Sequence, residues 1–172
     1  VVKTVTQEDV TAEELGGAST HSTKSGVTHF SCANEVECIN NIKRLLSYMP
    51  QNCEDNAPVY EYENSGDEVV KALNDMVPDN PNQPYDIRDV VEGIVDKDSF
   101  MEVHKDFADN MVVGFARLAG RSIGVVGNQP ASLAGVLDIA ASTKGDRFVR
   151  YCGSFDIHLL VLEDVPGVLP GK

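Results

Sequence analysis

The stretch NQPASLAGVLDIAAS, residues 128–142, holds the sequence's best arrangement for chemistry. It follows a strand-like run, has Gly127 and Gly135 as permissive positions, and opens a predicted helix at about Leu137. Amide N–H groups at a helix start, reinforced by the helix dipole, suit a bound anion or a developing oxyanion. A plain turn before a helix has the same pattern, so spacing leaves both readings open. Cys32, Cys38, Cys53 and Cys152 match no zinc spacing and form no CxxC, which predicts reduced thiols. His21 and His29 are eight residues apart and His104 and His158 stand alone, so no metal site is expected.

These residues need elements to hold them. VVKTVT reads as a short strand and DVTAEELGG as a helix with an acidic first turn, while ASTHSTKSGVTHF is too rich in Ser and Thr for a helix interior. In NEVECINNIKRLLSYM, Asn34 is a plausible N-cap, and Val36, Ile39, Ile42, Leu45, Leu46 and Met49 fall at helical spacing, predicting a core-facing helix. Residues 50–84 carry five of the eight prolines and read as a linker with a helical turn near Glu68–Leu73. YDIRDVVEGIVD predicts a helix starting near Asp86. Three strand-like runs follow (SFMEVHKDFA, NMVVGFARLAG and RSIGVVGNQP), with a tight hairpin at Gly120. LDIAASTKGDRFVRYCGSF then reads as a helix with Ile139, Phe148, Val149 and Cys152 on its apolar side, and LLVLEDV, residues 159–165, as a buried strand. A helical crossover between strands implies a parallel pair, and hence an α/β layer.

The 172 residues contain 27 Asp+Glu against 14 Lys+Arg, a formal charge of −13. That balance argues against sequence-independent nucleic-acid binding and against docking on anionic membranes, both of which need clustered cations. With 42% hydrophobic residues and a mean hydropathy of −0.18, the composition is that of a globular protein. No run approaches a membrane span, and VVKTVTQEDV lacks the order of a signal peptide, so a cytoplasmic location is expected.

Residues 1–29, YDIRDVVEGIVD at 85–96, VVGFARLAGRSIGVVGNQP at 112–130, GVLDI at 135–139, KGDRFVRYC at 144–152 and LEDVPGVLPG at 162–171 closely resemble the carboxyltransferase subunit of biotin-dependent acyl-CoA carboxylases. The match is best to the β subunit of propionyl-CoA carboxylase and its transcarboxylase and decarboxylase relatives. The resemblance implies an α/β fold of crotonase-like ββα turns, present as pieces of two domains. Residues 1–60 would end the first, 61–84 connect, and 85–172 begin the second.

It also implies transfer of a carboxyl group between carboxybiotin and the α-carbon of a short acyl-CoA, propionyl-CoA or methylmalonyl-CoA. A methylmalonyl-CoA decarboxylase α subunit, attached to a membrane only through its complex, and a folded non-catalytic scaffold are the alternatives. Biotin would arrive on a carboxyl carrier protein charged by a biotin carboxylase subunit, and the assembly would be a homo-oligomer, hexameric in the family. Because the chemistry develops anions, it calls for backbone donors. The AGVLDI turn resembles the one that presents an oxyanion amide in crotonase-like domains, which points to the N–H groups of Gly135 and Val136; relief of crowding is the other reading of Gly135. Gly127, Asn128 and Gln129 would stand at the biotin entrance, with Pro166 and Gly167 shaping the opposite loop. Gly16, Gly17, His21, Ser25 and Gly26 repeat a pattern near the acyl-CoA side. Since the family assigns proton removal to biotin itself, His21 is expected to make a loop hydrogen bond. Ala140, Ala141, Gly153, Asp156, His158 and Val168 depart from the family pattern, clustering around the biotin loop and its supporting helix.

Overall fold

The computed structural model describes residues 2–62, 71–80 and 83–169. Four strands form one sheet in the order β1-β2-β3-β4: β1 (Met101–Val103), β2 (Met111–Leu118), β3 (Arg121–Asn128) and β4 (His158–Leu162). The first three run antiparallel. β3 and β4 are parallel, joined by a crossover helix, Ile139–Ser154. The β2–β3 hairpin turns on Ala119 and Gly120, both at positive φ, and the Asp96 carboxylate accepts from both of their amides at 2.9 and 2.7 Å.

Helices before the sheet are α1 (Val2–Val5), α2 (Ala12–Gly16), α3 (Ala18–Thr23), α4 (Glu35–Leu46), α5 (Leu73–Met76) and α6 (Ile87–Ile94); the crossover is α7. The start of the chain is helical, not a strand. Among the described residues no strand lies beside this segment to pair with it, so its backbone bonds close locally, as in Thr6 N–H to the Val2 carbonyl at 2.8 Å. The helix expected in DVTAEELGG is present as α2, and a capping box starts it, Thr11 and Glu14 exchanging bonds of 3.2 and 2.8 Å. Contrary to expectation, the Ser/Thr-rich segment also forms a helix, α3. Its hydroxyls find acceptors in the preceding turn, Thr23 Oγ1 donating to the Ser19 carbonyl at 2.8 Å and Thr20 Oγ1 to that of Glu13 at 2.8 Å. Half of the helical turn expected near Glu68–Leu73 lies outside the described residues, and α5 begins only at Leu73.

One face of the sheet packs Phe115, Val113 and Met101 against Phe148 and Cys152 of α7 and Tyr48 just beyond α4. The other packs Val125, Ile123 and Ala116 under Val91 of α6 and Val95. Tyr48 Oη donates to the Ser99 carbonyl, and the Arg117 guanidinium lies between the rings of Tyr48 and Tyr60, 4.2 and 4.0 Å from their centroids.

Three expected core faces are corrected. α4 docks through Arg44, Leu45 and Tyr48, Arg44 donating to the Asp98 and Phe100 carbonyls at 3.0 and 2.8 Å; Val36, Ile39, Ile42 and Leu46 are left outside. α7 buries Ala141, Lys144, Gly145, Phe148 and Cys152, rotating Ile139 and Val149 outward. β4 is an edge strand that ends at Leu162, with Val161 60% exposed.

Candidate functional site

The parallel strands β3 and β4 deliver their carboxyl ends to one side of the sheet, the ordinary place for a ligand in an α/β layer. There a cleft of about 740 Å³ opens between Val77, Pro78 and Tyr85 on one wall, Pro130, Ala131 and Ala134 behind, and Asp164, Val165 and Pro166 opposite. The back wall is a left-handed turn: Leu133, Ala134 and Gly135 have φ of +48°, +51° and +74°. Two non-glycine residues in this region store strain that the surroundings must hold in place.

Three buried amide side chains hold it. Asn128, at the end of β3, donates to the Gly135 carbonyl at 3.0 Å. Asn110 donates to the Val136 carbonyl at 2.8 Å and to Asp138 at 3.3 Å, while Asp138 caps α7 through the Ala141 amide. Gln129 accepts from the amides of Ile87 at 3.2 Å and Ala131 at 3.3 Å, and donates to Asp86 at 2.6 Å, clamping the turn to the start of α6. Burial raises the Asp86 carboxyl, but the hydrogen bonds from Gln129 and Arg88 and the Arg88 charge together outweigh it and pull the group below its usual range. Arg88 in turn forms a fork with Glu102 at 2.6 and 2.8 Å.

Gly135 packs where a Cβ would stand 2.7 Å from the Asp164 carbonyl, so a close approach and a positive φ both require glycine here. Gly127 gives α6 room, a Cβ there meeting Ile87 at 3.2 Å. The Gly167 carbonyl accepts from the Leu137 amide at 3.2 Å, and Pro166 lines the cleft. Residues 127–129, 135–136 and 166–167 are thus brought to one place.

The Gly135 and Val136 amides are not free, however. They donate to the Ser132 and Leu133 carbonyls at 2.9 and 3.0 Å, because the turn closes on itself as a 3-10 helix before α7 begins at Ile139. The Ala134 amide, one residue earlier on the cleft wall, donates to no protein atom among the described residues.

Tyr85 and Asp164 were not singled out from the sequence. The Tyr85 hydroxyl donates to Asp164 Oδ2 at 2.8 Å, and burial with the nearby carboxylate raises the phenol to about 12, so it remains a donor at neutral pH. Both lie within family-like blocks, YDIRD and LEDVPG, but 79 residues separate them and only the fold pairs them.

The residues expected near an acyl-CoA form a separate group. Gly16 and Gly17 join α2 to α3, a Cβ at Gly17 overlapping the Glu13 carboxylate. His21 Nδ1 is 3.0 Å from Ser25 Oγ, and Gly26, at φ +61°, sits beneath the Phe107 ring. None of these lines the cleft. Among the described residues no His/Cys/Asp/Glu cluster could hold a metal ion, and no helix is long and apolar enough to cross a membrane.

A mixed sheet with a helical crossover and a strained turn at its parallel edge makes a partial α/β unit. The chain belongs to the carboxyl transferase domain family, whose model matches residues 1–172. It is 52% identical over 171 residues to the propionyl-CoA carboxylase carboxyltransferase subunit of Haloferax mediterranei, covering 99% of this chain and 33% of that one. It is 48% identical over 179 residues to the biotin-dependent acetyl-/propionyl-coenzyme A carboxylase beta5 subunit of Mycobacterium tuberculosis, covering 99% and 32%. A crystal structure of transcarboxylase 12S, described as a hexamer assembly with methylmalonyl-coenzyme A and methylmalonic acid bound, superposes with a TM-score of 0.95. It is 45% identical, over 99% of this chain and 33% of that one. The chain therefore spans about a third of the length of the relatives it matches.

Proposed function

We propose that this chain is the part of a biotin-dependent acyl-CoA carboxyltransferase that builds the biotin side of the site, acting between carboxybiotin and propionyl-CoA or methylmalonyl-CoA. The observation that carries the reading is the clamped left-handed turn at the mouth of β3 and β4, in a chain about half identical to a propionyl-CoA carboxylase subunit. Residues 1–60 and 85–172 are read as pieces of two successive crotonase-like domains joined through 61–84. A carboxyl carrier protein, a biotin carboxylase subunit and other copies of the chain are its proposed partners, in the cytoplasm.

The cleft suits the ureido ring of biotin: prolines and valines give flat apolar walls, and the Ala134 amide offers an uncommitted donor. Biotin, when bound, would supply the carboxyl group. The chain's own residues orient and polarise. Gly127, Asn128 and Gln129 fix the turn, Gly135 lets it lie against the Asp164 loop, and Pro166 and Gly167 close the far wall. One backbone donor to a developing oxyanion is worth about 3 kcal/mol. The Gly135 and Val136 amides could join it only by giving up their bonds within the turn. Gly16, Gly17, His21, Ser25 and Gly26 are proposed to shape the acyl-CoA side from the first domain piece.

The test is a chimera in which these 172 residues replace the matching third of the Haloferax mediterranei subunit, assayed for carboxyl transfer to propionyl-CoA. Turnover within about tenfold of the parent supports the reading. A folded, assembled chimera with none contradicts it.

A further inference from the structure

On the sheet face away from α6, a second pocket of about 480 Å³ lies between α4, α7 and the β1–β2 face, sharing no residue with the cleft. Phe30, Phe115, Phe148 and Tyr151 supply aromatic walls, and no Asp or Glu among the described residues lines it. His104 lies at its edge, only 4% exposed, with neither ring nitrogen in a hydrogen bond among the described residues. The Gly26 backbone approaches this ring without hydrogen-bond geometry. A buried imidazole so placed forgoes both water and partner, a cost that native structures accept rarely. The backbone adds to the cost, since His104 has φ +54°.

Two further groups converge there. His29 lies over the His104 ring, centroids 4.1 Å apart. Arg147, one residue before Phe148 on α7, lines the pocket and has no ion pair among the described residues. Burial pushes both imidazoles below their usual range, His104 to about 4, so at neutral pH each ring is uncharged with one N–H to give.

We infer that this pocket binds a small organic carboxylate with an apolar body, its chain against Phe115 and Phe148 and its carboxylate met by Arg147 and the His104 N–H. An apolar cavity of this size with a few converging polar groups is the usual form of a small-molecule site. A guanidinium without a partner beside an uncharged donor favours an anionic head over a neutral one.

Isothermal titration of the purified chain with hexanoate, and with hexan-1-ol as its neutral counterpart, tests this. Hexanoate should bind saturably at one site, about tenfold or more tighter than the alcohol, as a charge-assisted contact implies. Arg147→Gln changes an exposed position and keeps the fold; it should abolish that preference. His104→Asn, which retains a residue at ease with positive φ, should weaken hexanoate severalfold. No saturable hexanoate binding, or an undiminished preference in Arg147→Gln, would overturn the inference.

Discussion

Two groups of buried polar side chains, one at the mouth of β3 and β4 and one at the His104 ring beneath α4 and α7, are satisfied to opposite degrees. At the mouth of β3 and β4, Asn110, Asn128 and Gln129 are all buried and all bonded, holding a strained turn open against Asp164. Beneath α4 and α7, His104 is equally buried, and neither nitrogen of its ring is hydrogen-bonded among the described residues. A satisfied network fixes geometry in advance of a ligand, which is what charge stabilisation requires. An unsatisfied group leaves an interaction for something else to make.

If the turn is prestressed and clamped, breaking it should cost most. Gly135→Ala adds a Cβ at 2.7 Å from the Asp164 carbonyl at a positive φ, and should cost about 3 kcal/mol, read as a fall of about 10 °C in Tm. An unchanged Tm would mean that the turn relaxes freely. Gln129→Ala removes one clamp, leaving Asp86 and the Ile87 amide short of a partner; a loss of about 2 kcal/mol in urea unfolding is expected.

Acid sharpens the contrast from the other side. His104 has a folded pKa of about 4 against an ordinary 6.5, so the unfolded chain takes up its proton first as pH falls. Its contribution is intact above 6.5 and drains away between 6.5 and about 4. His29 shifts in the same direction, and Arg147 and Lys144 both disfavour a charge on His104. His104→Asn should flatten the fall of stability in that window, measured by urea midpoints at successive pH; an identical slope would mean that the ring is solvated. Smallest in stability is Ile39→Lys on the outer stripe of α4. It should shift Tm by less than about 1 °C, yet reduce any self-association seen by light scattering, because the stripe is exposed already.

Local signals were legible in the sequence. Asn34 and Asp86 each cap the helix that their position announces, and the Gly120 hairpin and the parallel crossover follow from turn chemistry and element order. What failed depended on neighbours. Val36, Ile39, Ile42 and Leu46 have helical period but nothing covers them among the described residues, so periodicity found the helix and placed Leu45 and Met49 correctly while misjudging the rest of its buried side. The GVLD turn was found by its residues, whereas the engagement of its Gly135 and Val136 amides depends on positive φ at Leu133 and Ala134, which nothing in those residue types announces. Tyr85 and Asp164, and likewise His29 and His104, meet only through the fold.

The most direct measurement is a backbone-amide NMR titration of the chain with free biotin. The account predicts saturable shifts concentrated at Ala131, Ala134 and Val165 around the cleft, and none at His29, His104 or Phe148. Shifts confined to that second pocket, or no saturable shift at Ala134, would contradict the claim that the clamped turn is the functional site.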